Sequence, residues 1–200
     1  MTPHVKQALA DHSILEPIAA RWSPYVYDER PVEREKLLAC LEAARWAASS
    51  YNEQPWIYLL AERSNPVEFE KALECLVEAN QQWAKHAGAL ILTAVSRTFK
   101  KNGSPNRVAE HDVGAAAAQL SLQATALGLQ VHQMAGVNLA KVKQTYHVPD
   151  GYDPLTAIAI GYAGSPPSGA DPELAPRDAS PRARRPLAEW VFTGDWGQAW

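Results

Sequence analysis

Residues 47–56 decide the fold: Ala47-Ala48-Ser49-Ser50-Tyr51-Asn52-Glu53-Gln54-Pro55-Trp56. This stretch lies between an amphipathic helical pattern and an apolar strand pattern, and it carries more small polar side chains than a connection needs. A loop that presents hydroxyls, amides and backbone N–H groups on a rigid scaffold suits a flat heterocycle with polar edges. Taken alone, the loop is explained more simply as a turn built on Asn52 and Pro55. The rest of the chain decides between the two interpretations.

Composition restricts the class of protein. A chain of 200 residues suits one domain with a sizeable core. The formal net charge of −3 points to neither nucleic acid nor an acidic membrane as a partner. No apolar run approaches the ~18 residues of a membrane span, and the N-terminus lacks the apolar core of a signal peptide, so we expect a cytoplasmic protein. Cys40 and Cys75 are far apart and read as buried apolar residues rather than as redox or metal ligands.

Periodicity predicts helices alternating with buried strands. Helices are predicted at 5–20, 33–47, 66–86 and 112–128, with a further short one capped by Asn138. Strands are predicted at 56–60, 89–95, 129–136 and 155–162. Pro24 is expected to lie beyond the end of the first helix, Asp112 to cap the fourth helix and Gly128 to terminate it.

Several polar groups allow two interpretations. Arg21 and Ser23 are either the end of a helix and a turn, or two groups that reach one phosphate. Asn80 is either a solvent-facing amide or an arm at the edge of a site. The basic residues 97–107 form either a mobile, solvated loop or a lid that attracts an anionic substrate or the phosphate of a nicotinamide cofactor. His111 beside Asp112 suggests a catalytic dyad, although capping explains Asp112 better.

The C-terminal segment differs from the rest of the chain. Residues 165–186 contain six prolines and no helical period, so they are expected to be extended or disordered. Three tryptophans then crowd the last eleven residues, and such apolar surface must dock somewhere. Between the two parts, Arg182 and Arg184 alternate on an extended chain and would lie on one side of it.

In these motifs the chain resembles the flavin-dependent nitroreductase family. The resemblance runs through motifs in one order: Arg21-x-Ser23, Glu42-Ala43-Ala44-Arg45, Ser49-Ser50-x-Asn52-x-Gln54-Pro55-Trp56, Asp112-x-Gly114-Ala115, Ala126-Leu127-Gly128-Leu129, the glycine turn and short helix from Gly136 to Pro149, Gly161-Tyr162, and Arg182-x-Arg184-x-Pro186-Leu187. Each motif is weak alone, whereas the ordered set covers nearly the whole chain. Three positions depart from the family pattern: Tyr25 stands where many members have a basic residue, Ala48 replaces a frequent proline, and Ala135 replaces an acidic residue found in some members.

The resemblance implies an α+β fold with three layers: a central, mostly antiparallel sheet flanked by helices. It implies one FMN-binding domain over 1–200, with a core at 1–164 and a tail at 165–200 that wraps the partner subunit of a homodimer. FMN would lie at the subunit interface. Arg21, Ser23, Arg182 and Arg184 would bind its phosphate, and the partner's copies of Ser49, Ser50 and Asn52 would meet its ring and ribityl chain. Asn80 would reach the pyrimidine edge, and the backbone of Met134, Ala135 and Gly136 would face N5. Trp22, Tyr25, Ala48 and Gln133 complete the expected cofactor contacts.

The implied activity needs no catalytic side chain and no metal, because a flavin carries the chemistry. The expected reaction takes a hydride from NADH or NADPH and reduces a nitroaromatic, a quinone or a similar flat small-molecule acceptor by a ping-pong mechanism. No GxGxxG motif is present, so the nicotinamide would visit as a substrate. Two alternatives remain: a specialised dehydrogenase or dehalogenase of the same family, and a flavin-binding storage or sensor protein without turnover. A ring covered by Trp22, Trp83 or residues 97–107 would favour the latter.

Overall fold

Strand β2, Ala89–Ser96, is the centre of the fold, because all eight of its side chains are buried. The computed structural model describes residues 4–164 and 173–200. In it β2 pairs antiparallel with β1 (Trp56–Glu62) on one side and with β4 (Tyr152–Gly161) on the other. β3 (Gln130–Met134) pairs antiparallel with β4 alone, which gives the order β1-β2-β4-β3. The predicted antiparallel sheet is confirmed.

The helices of the described ranges cover both faces of this sheet. They are α1 (Glu16–Ala20), α2 (Arg34–Arg45), α3 (Pro66–Leu73), α4 (Glu78–Ala84), α5 (Ala109–Ala126), α6 (Leu139–Thr145) and α7 (Ala175–Ala179). None of them has the length and apolar character needed to cross a membrane.

The two-residue period of the strands divides the core into two clusters. Leu90 and Leu92 point to the side covered by α3, α4 and α6, whereas Ala89 and Ile91 point to the side covered by α2 and α5. A central strand is covered on both faces, and this explains why the side chains of β2 are apolar except for Thr93 and Ser96. The result is the three-layer α+β fold that the sequence predicts.

Two predicted helices are wrong in extent. The first covers only Glu16–Ala20 instead of 5–20, because Pro17 fits the first turn of a helix but not its interior. The predicted helix 66–86 is broken between α3 and α4. There, Leu76 forms a bridge with Val137, and the N–H of Val77 donates to the carbonyl oxygen of Gly136 at 3.0 Å. Pairing with a distant segment therefore overrides the local helical preference.

Helix α5 also differs at its start. It begins at Ala109, three residues before Asp112, so Asp112 lies inside the first turn and is not its N-cap. The predicted end is confirmed, since Gly128 has a φ of 79° and the N–H of Leu129 donates to the carbonyl oxygen of Ala124 at 2.8 Å. The apolar stripe of α5, which includes Ala116 and Leu120, is buried within the chain against α2 and the sheet. It is therefore not available to a partner.

The C-terminal segment contains more structure than predicted. Residues 165–172, where much of the extended tail was expected, lie outside the described ranges. Helix α7 follows them, so the expectation of no helix up to 186 is wrong. The last residues then fold back: the N–H of Trp200 donates to the carbonyl oxygen of Val191 at 3.1 Å, and Phe192 bridges to Ala199. Trp196 and Trp200 remain 93% and 80% exposed in the single chain.

Candidate functional site

Three arginines gather where the N-terminal segment meets the tail. The guanidinium Nη1 of Arg21 donates to the hydroxyl oxygen of Ser23 at 3.3 Å. Burial and the nearby charge of Arg184 lower the pKa of Arg21, and burial together with Arg21 and Arg184 lowers the pKa of Arg182. No ion pair to any of the three exists within the described ranges. We call Arg21, Ser23, Arg182 and Arg184 the cationic corner. Guanidinium and hydroxyl groups with no carboxylate among them are donors that suit a phosphate.

The two tail arginines of the cationic corner, Arg182 and Arg184, make different contacts. Arg182 donates from Nε to the carbonyl oxygen of Lys6, from Nη1 to that of Arg21, and from Nη2 to that of Ala19. Its guanidinium therefore holds the backbone of the corner together. Arg184 is exposed, and within the described ranges its Nη1 donates only to the carbonyl oxygen of its neighbour Ala183, at 2.8 Å. Sequence alone predicted the same function for both arginines.

Asp178 on α7 fixes the tail beside the corner. Its carboxylate accepts the N–H groups of Tyr25 and Val26, each with an oxygen at 2.9 Å. Burial raises the pKa of this carboxyl, and the two backbone donors act in the opposite direction. The side chain of Arg177 lies over the ring of Tyr25, 5.6 Å from its centre. The basic residue that the family pattern has at position 25 is absent, and a cation from the tail lies beside Tyr25 instead.

The loop at 48–54 has an unusual backbone. Tyr51, Asn52 and Gln54 have φ values of 52°, 56° and 53°. Each such non-glycine residue costs of the order of 1–3 kcal/mol, least for Asn, and persists only where its surroundings hold it. Here the Ser49 hydroxyl accepts the N–H of Gln54 at 3.0 Å. Ala48 and the side chain of Asn52 are exposed, and Asn52 makes no side-chain hydrogen bond within the described residues.

Asp112 is the support for this loop that sequence reasoning missed. It is 3% exposed, and its Oδ2 accepts the backbone N–H of Ser50 at 3.0 Å. Its Oδ1 lies 3.2 Å from Nδ1 of His111, an imidazole whose side chain is 81% exposed. Asp112 therefore supports the loop, and the imidazole of His111 beside it faces solvent. An acidic residue near a helix start usually indicates a cap. Nothing in the sequence pattern predicts the contact of Asp112 with Ser50, which lies 62 residues away.

A third group of predicted residues meets at Gly136. The amide Nδ2 of Asn80 donates to the carbonyl oxygen of Gly136 at 3.1 Å. A Cβ at position 136 would lie 2.4 Å from that nitrogen and 2.8 Å from Cγ2 of Val77, so only glycine allows the approach. Ala135 is exposed and Met134 is buried. Nε2 of Gln133 donates to the hydroxyl of Ser121 at 3.1 Å, and its side chain is thus held on α5.

Strand β3 joins the cationic corner to the glycine turn. At its start, Oε1 of Gln130 accepts the N–H of Trp22 at 3.1 Å, and Gly136 follows two residues after its end. Five residues of strand separate the two ends by ~13 Å. One molecule with a phosphate at one end and a flat ring at the other could span this distance.

Two tryptophans considered as covers for the ring are part of the core. Trp22 is 7% exposed and lies beside His4, and Trp83 is 4% exposed with its ring centre 4.4 Å from that of His132. His132 is itself half-buried, and its Nδ1 lies 2.9 Å from the carbonyl oxygen of Pro24. Burial lowers its pKa. These side chains support the segment around Pro24.

The predicted residues thus form three groups: the cationic corner, the loop at 48–54 and the Asn80–Gly136 contact. No hydrogen bond or ion pair in the described part of the chain joins the loop directly to the other two groups. Nor does that part of the chain bring three His, Cys, Asp or Glu side chains together in a group that could hold a metal ion.

Comparisons with known proteins agree on one family. Residues 18–162 match the sequence model of the Nitroreductase family. An uncharacterized 15.4 kDa protein from Mycolicibacterium smegmatis is 37% identical over 125 residues, which are 61% of this chain and 80% of that protein. The solved structure of an oxidoreductase containing FMN is 31% identical, with a TM-score of 0.89 over 99% of this chain and all of that chain. An FMN-dependent nitroreductase from Clostridium difficile shares the fold at 23% identity and a TM-score of 0.62, over 76% of this chain and 89% of that one.

Proposed function

The chain belongs to the nitroreductase family, and from that premise we propose that it is an FMN-dependent oxidoreductase. In our proposal it takes electrons from NADH or NADPH and reduces a nitroaromatic, a quinone or a similar flat acceptor. The observation that carries the proposal is the cationic corner, in which Arg21, Ser23 and Arg184 lie together without a carboxylate. The similarity over the whole chain to an oxidoreductase containing FMN supports FMN as the cofactor of this corner.

When bound, FMN would supply the redox chemistry, which is reversible two-electron transfer between the nicotinamide and the second substrate. The chain supplies binding and orientation. Arg21, Ser23 and Arg184 would hold the phosphate, and the backbone at Gly136 with the amide of Asn80 would meet the ring. The cationic charge fits a group that carries nearly two negative charges.

We propose that the functional unit is a homodimer. The loop at 48–54 is exposed in the single chain and makes no direct polar contact with the cationic corner, and a partner subunit could supply its copy to the ring. Trp196 and Trp200 are exposed apolar surface of the kind that docks on a partner. In this proposal residues 1–164 form the core of a single domain, and 165–200 wrap the partner.

Catalytic turnover is favoured over passive flavin binding by the position of the aromatic residues. Trp22 and Trp83 are in the core, so neither is free to cover a ring at Gly136. The space over the ring would then admit a nicotinamide, which needs no binding domain of its own when it visits as a substrate.

The test is a visible absorption spectrum of the purified protein, followed by anaerobic addition of NADPH and, separately, NADH. We expect a bound-flavin spectrum that bleaches with at least one donor and returns when an acceptor is added. A flavin spectrum that persists with both donors would refute the donor assignment. If FMN is absent and does not bind when added, the cofactor assignment is wrong.

A further inference from the structure

The basic segment after β2 is an ordered hairpin. Thr98 bridges to Pro105, the N–H of Phe99 donates to the carbonyl oxygen of Ser104 at 2.9 Å, and Gly103 turns the chain with a φ of 71°. Arg97 anchors its base, with Nε 2.9 Å from a carboxylate oxygen of Asp153. We call residues 98–105 the basic hairpin. The charge of Arg97 is engaged at the base and contributes to anchoring.

The basic hairpin is docked on the loop at 48–54. The ring of Phe99 meets the ring of Tyr51 edge-on, with 5.8 Å between the ring centres. The backbone N–H of Lys100 donates to Oε1 of Glu53 at 3.0 Å. Tyr51 is 94% exposed and belongs to the strained part of the loop. These contacts place the hairpin beside the loop that we assign to the cofactor ring.

Three cations near the hairpin have no charged partner among the residues that the structure describes. Lys100, Lys101 and Arg107 are exposed and form no ion pair within the described ranges. Glu53 is an acidic group in contact with the hairpin. Its carboxylate accepts the backbone N–H of Lys100 but forms no ion pair with the Lys100 ammonium. Most other lysines near the sheet are paired, as Lys141 is with Glu74 and Lys143 with Asp153. The hairpin therefore presents uncompensated positive charge next to the proposed site.

We propose that the basic hairpin binds the 2′-phosphate of NADPH and makes the enzyme selective for NADPH over NADH. This inference rests on the proposed function, because it assigns the donor for the same site. The two donors differ only in that phosphate, which is nearly dianionic at neutral pH and attracts ammonium and guanidinium groups. Because the interaction is exposed, salt screens it beyond a Debye length of ~8 Å at physiological ionic strength.

The test compares kcat/KM for the two donors in the flavin-loaded wild type and in the Lys100→Ala/Lys101→Ala double variant. We expect the wild type to prefer NADPH. In the double variant the NADPH-to-NADH ratio of kcat/KM should fall about 5- to 30-fold, as expected for the loss of two exposed charge contacts. The KM for NADPH of the wild type should rise with added NaCl, and it should rise less in the variant. Lys85→Ala is the matched control, because Lys85 is exposed at the C-terminal end of α4 and has no ion pair in the described residues. The NADPH-to-NADH ratio of kcat/KM of this variant should stay at the wild-type value.

The outcomes separate this inference from the proposed function. The hairpin assignment alone is overturned if NADPH and NADH reduce the wild type equally well. It is also overturned if the double variant keeps the wild-type NADPH-to-NADH ratio of kcat/KM with normal FMN content and Tm. Equal losses with both donors also overturn it, because the hairpin would then support the site without reading the phosphate. A wild type with bound FMN that neither donor reduces overturns both.

Discussion

Arg182 and Arg184 provide a sharp test of the cationic corner, because they are two residues apart and have different contacts. Arg182→Ala removes three hydrogen bonds to the carbonyl oxygens of Lys6, Ala19 and Arg21. At ~1 kcal/mol each, reduced for partial exposure, the three bonds together should contribute about 2 kcal/mol to the free energy of unfolding. For a chain of this size their loss corresponds to a decrease in Tm of about 4–8 °C.

Arg184→Ala should lower the affinity for FMN and leave the stability of the apoprotein unchanged. Its guanidinium is exposed and donates only to the carbonyl oxygen of Ala183, so the Tm of the apoprotein should stay within about 1 °C of the wild type. Loss of one charge-assisted contact to the phosphate costs about 1.5–3 kcal/mol, so the Kd for FMN should rise about 10- to 150-fold. Arg185→Ala is the matched control: Arg185 is an exposed arginine with no hydrogen bond or ion pair in the described ranges, and both quantities should stay at their wild-type values.

The assays are differential scanning fluorimetry of the three apoproteins and titration of each with FMN followed by flavin fluorescence. Arg182→Ala should lose both stability and affinity, and Arg184→Ala affinity alone. If Arg184→Ala binds FMN as tightly as Arg185→Ala does, Arg184 is not a phosphate ligand. If Arg182→Ala retains the wild-type Tm, its three backbone contacts do not hold the corner together.

Three further predictions concern the remaining parts of the site. Asp112→Ala should lower the free energy of unfolding by about 1.5–3 kcal/mol and weaken FMN binding, because the N–H of Ser50 loses a buried charged acceptor; chemical denaturation and FMN titration measure the two effects. Gly136→Ala should cost about 1–3 kcal/mol and displace the amide of Asn80, which a crystal structure or a shifted flavin spectrum would detect. Burial lowers the pKa of His132, so the unfolded chain binds a proton more readily than the folded chain as the pH falls below ~6.5. Stability should therefore be greatest above that pH and fall toward the folded-state pKa, and His132→Gln should flatten the dependence of Tm on pH between 7.5 and 5.5.

Each of these predictions has its own control. Asp112→Asn keeps an acceptor and should recover part of the loss, and equal losses in both Asp112 variants would show that the hydrogen bond is not the cause. Adding Asn80→Ala to Gly136→Ala removes one of the two clashing groups and should restore some stability, so a purely additive loss would contradict the steric argument. His147→Gln is the comparison for His132, and the same flattening in that variant would disprove the assignment to the buried imidazole.

The sequence predicted the elements whose causes are local. β2 is buried along its whole length, and α5 ends at a glycine in the left-handed conformation, as the patterns indicate. Predictions failed where a distant segment intervened, as in the break between α3 and α4, where Leu76 and Val77 pair with residues around Gly136. A helical period carries no information about a bridge to a residue sixty positions away.

The candidate site shows the same contrast between features with local causes and features set by distant segments. The family resemblance predicted phosphate donors at Arg21, Ser23, Arg182 and Arg184, and that role stays a prediction. The contact between Asn80 and Gly136 was not predicted. The difference between Arg182 and Arg184, and the support that Asp112 gives to Ser50, depend on which backbone groups lie nearby. Such contacts join residues separated by 62 to 176 positions, and spacing within a motif does not encode them.

The cationic corner is assembled from the two ends of the chain: Lys6 and the segment around Arg21 meet Arg177, Asp178 and Arg182. Residues 56–161 contain every strand of the sheet, so a growing polypeptide acquires its core long before the corner can close. Because contacts of high sequence separation form against the largest loop-closure entropy, we expect the corner to be the last part to form and the first to open. Loss of FMN should then accompany opening of the corner, and amide exchange of Tyr25 and Val26 should be faster than that of β2 and should slow when FMN binds.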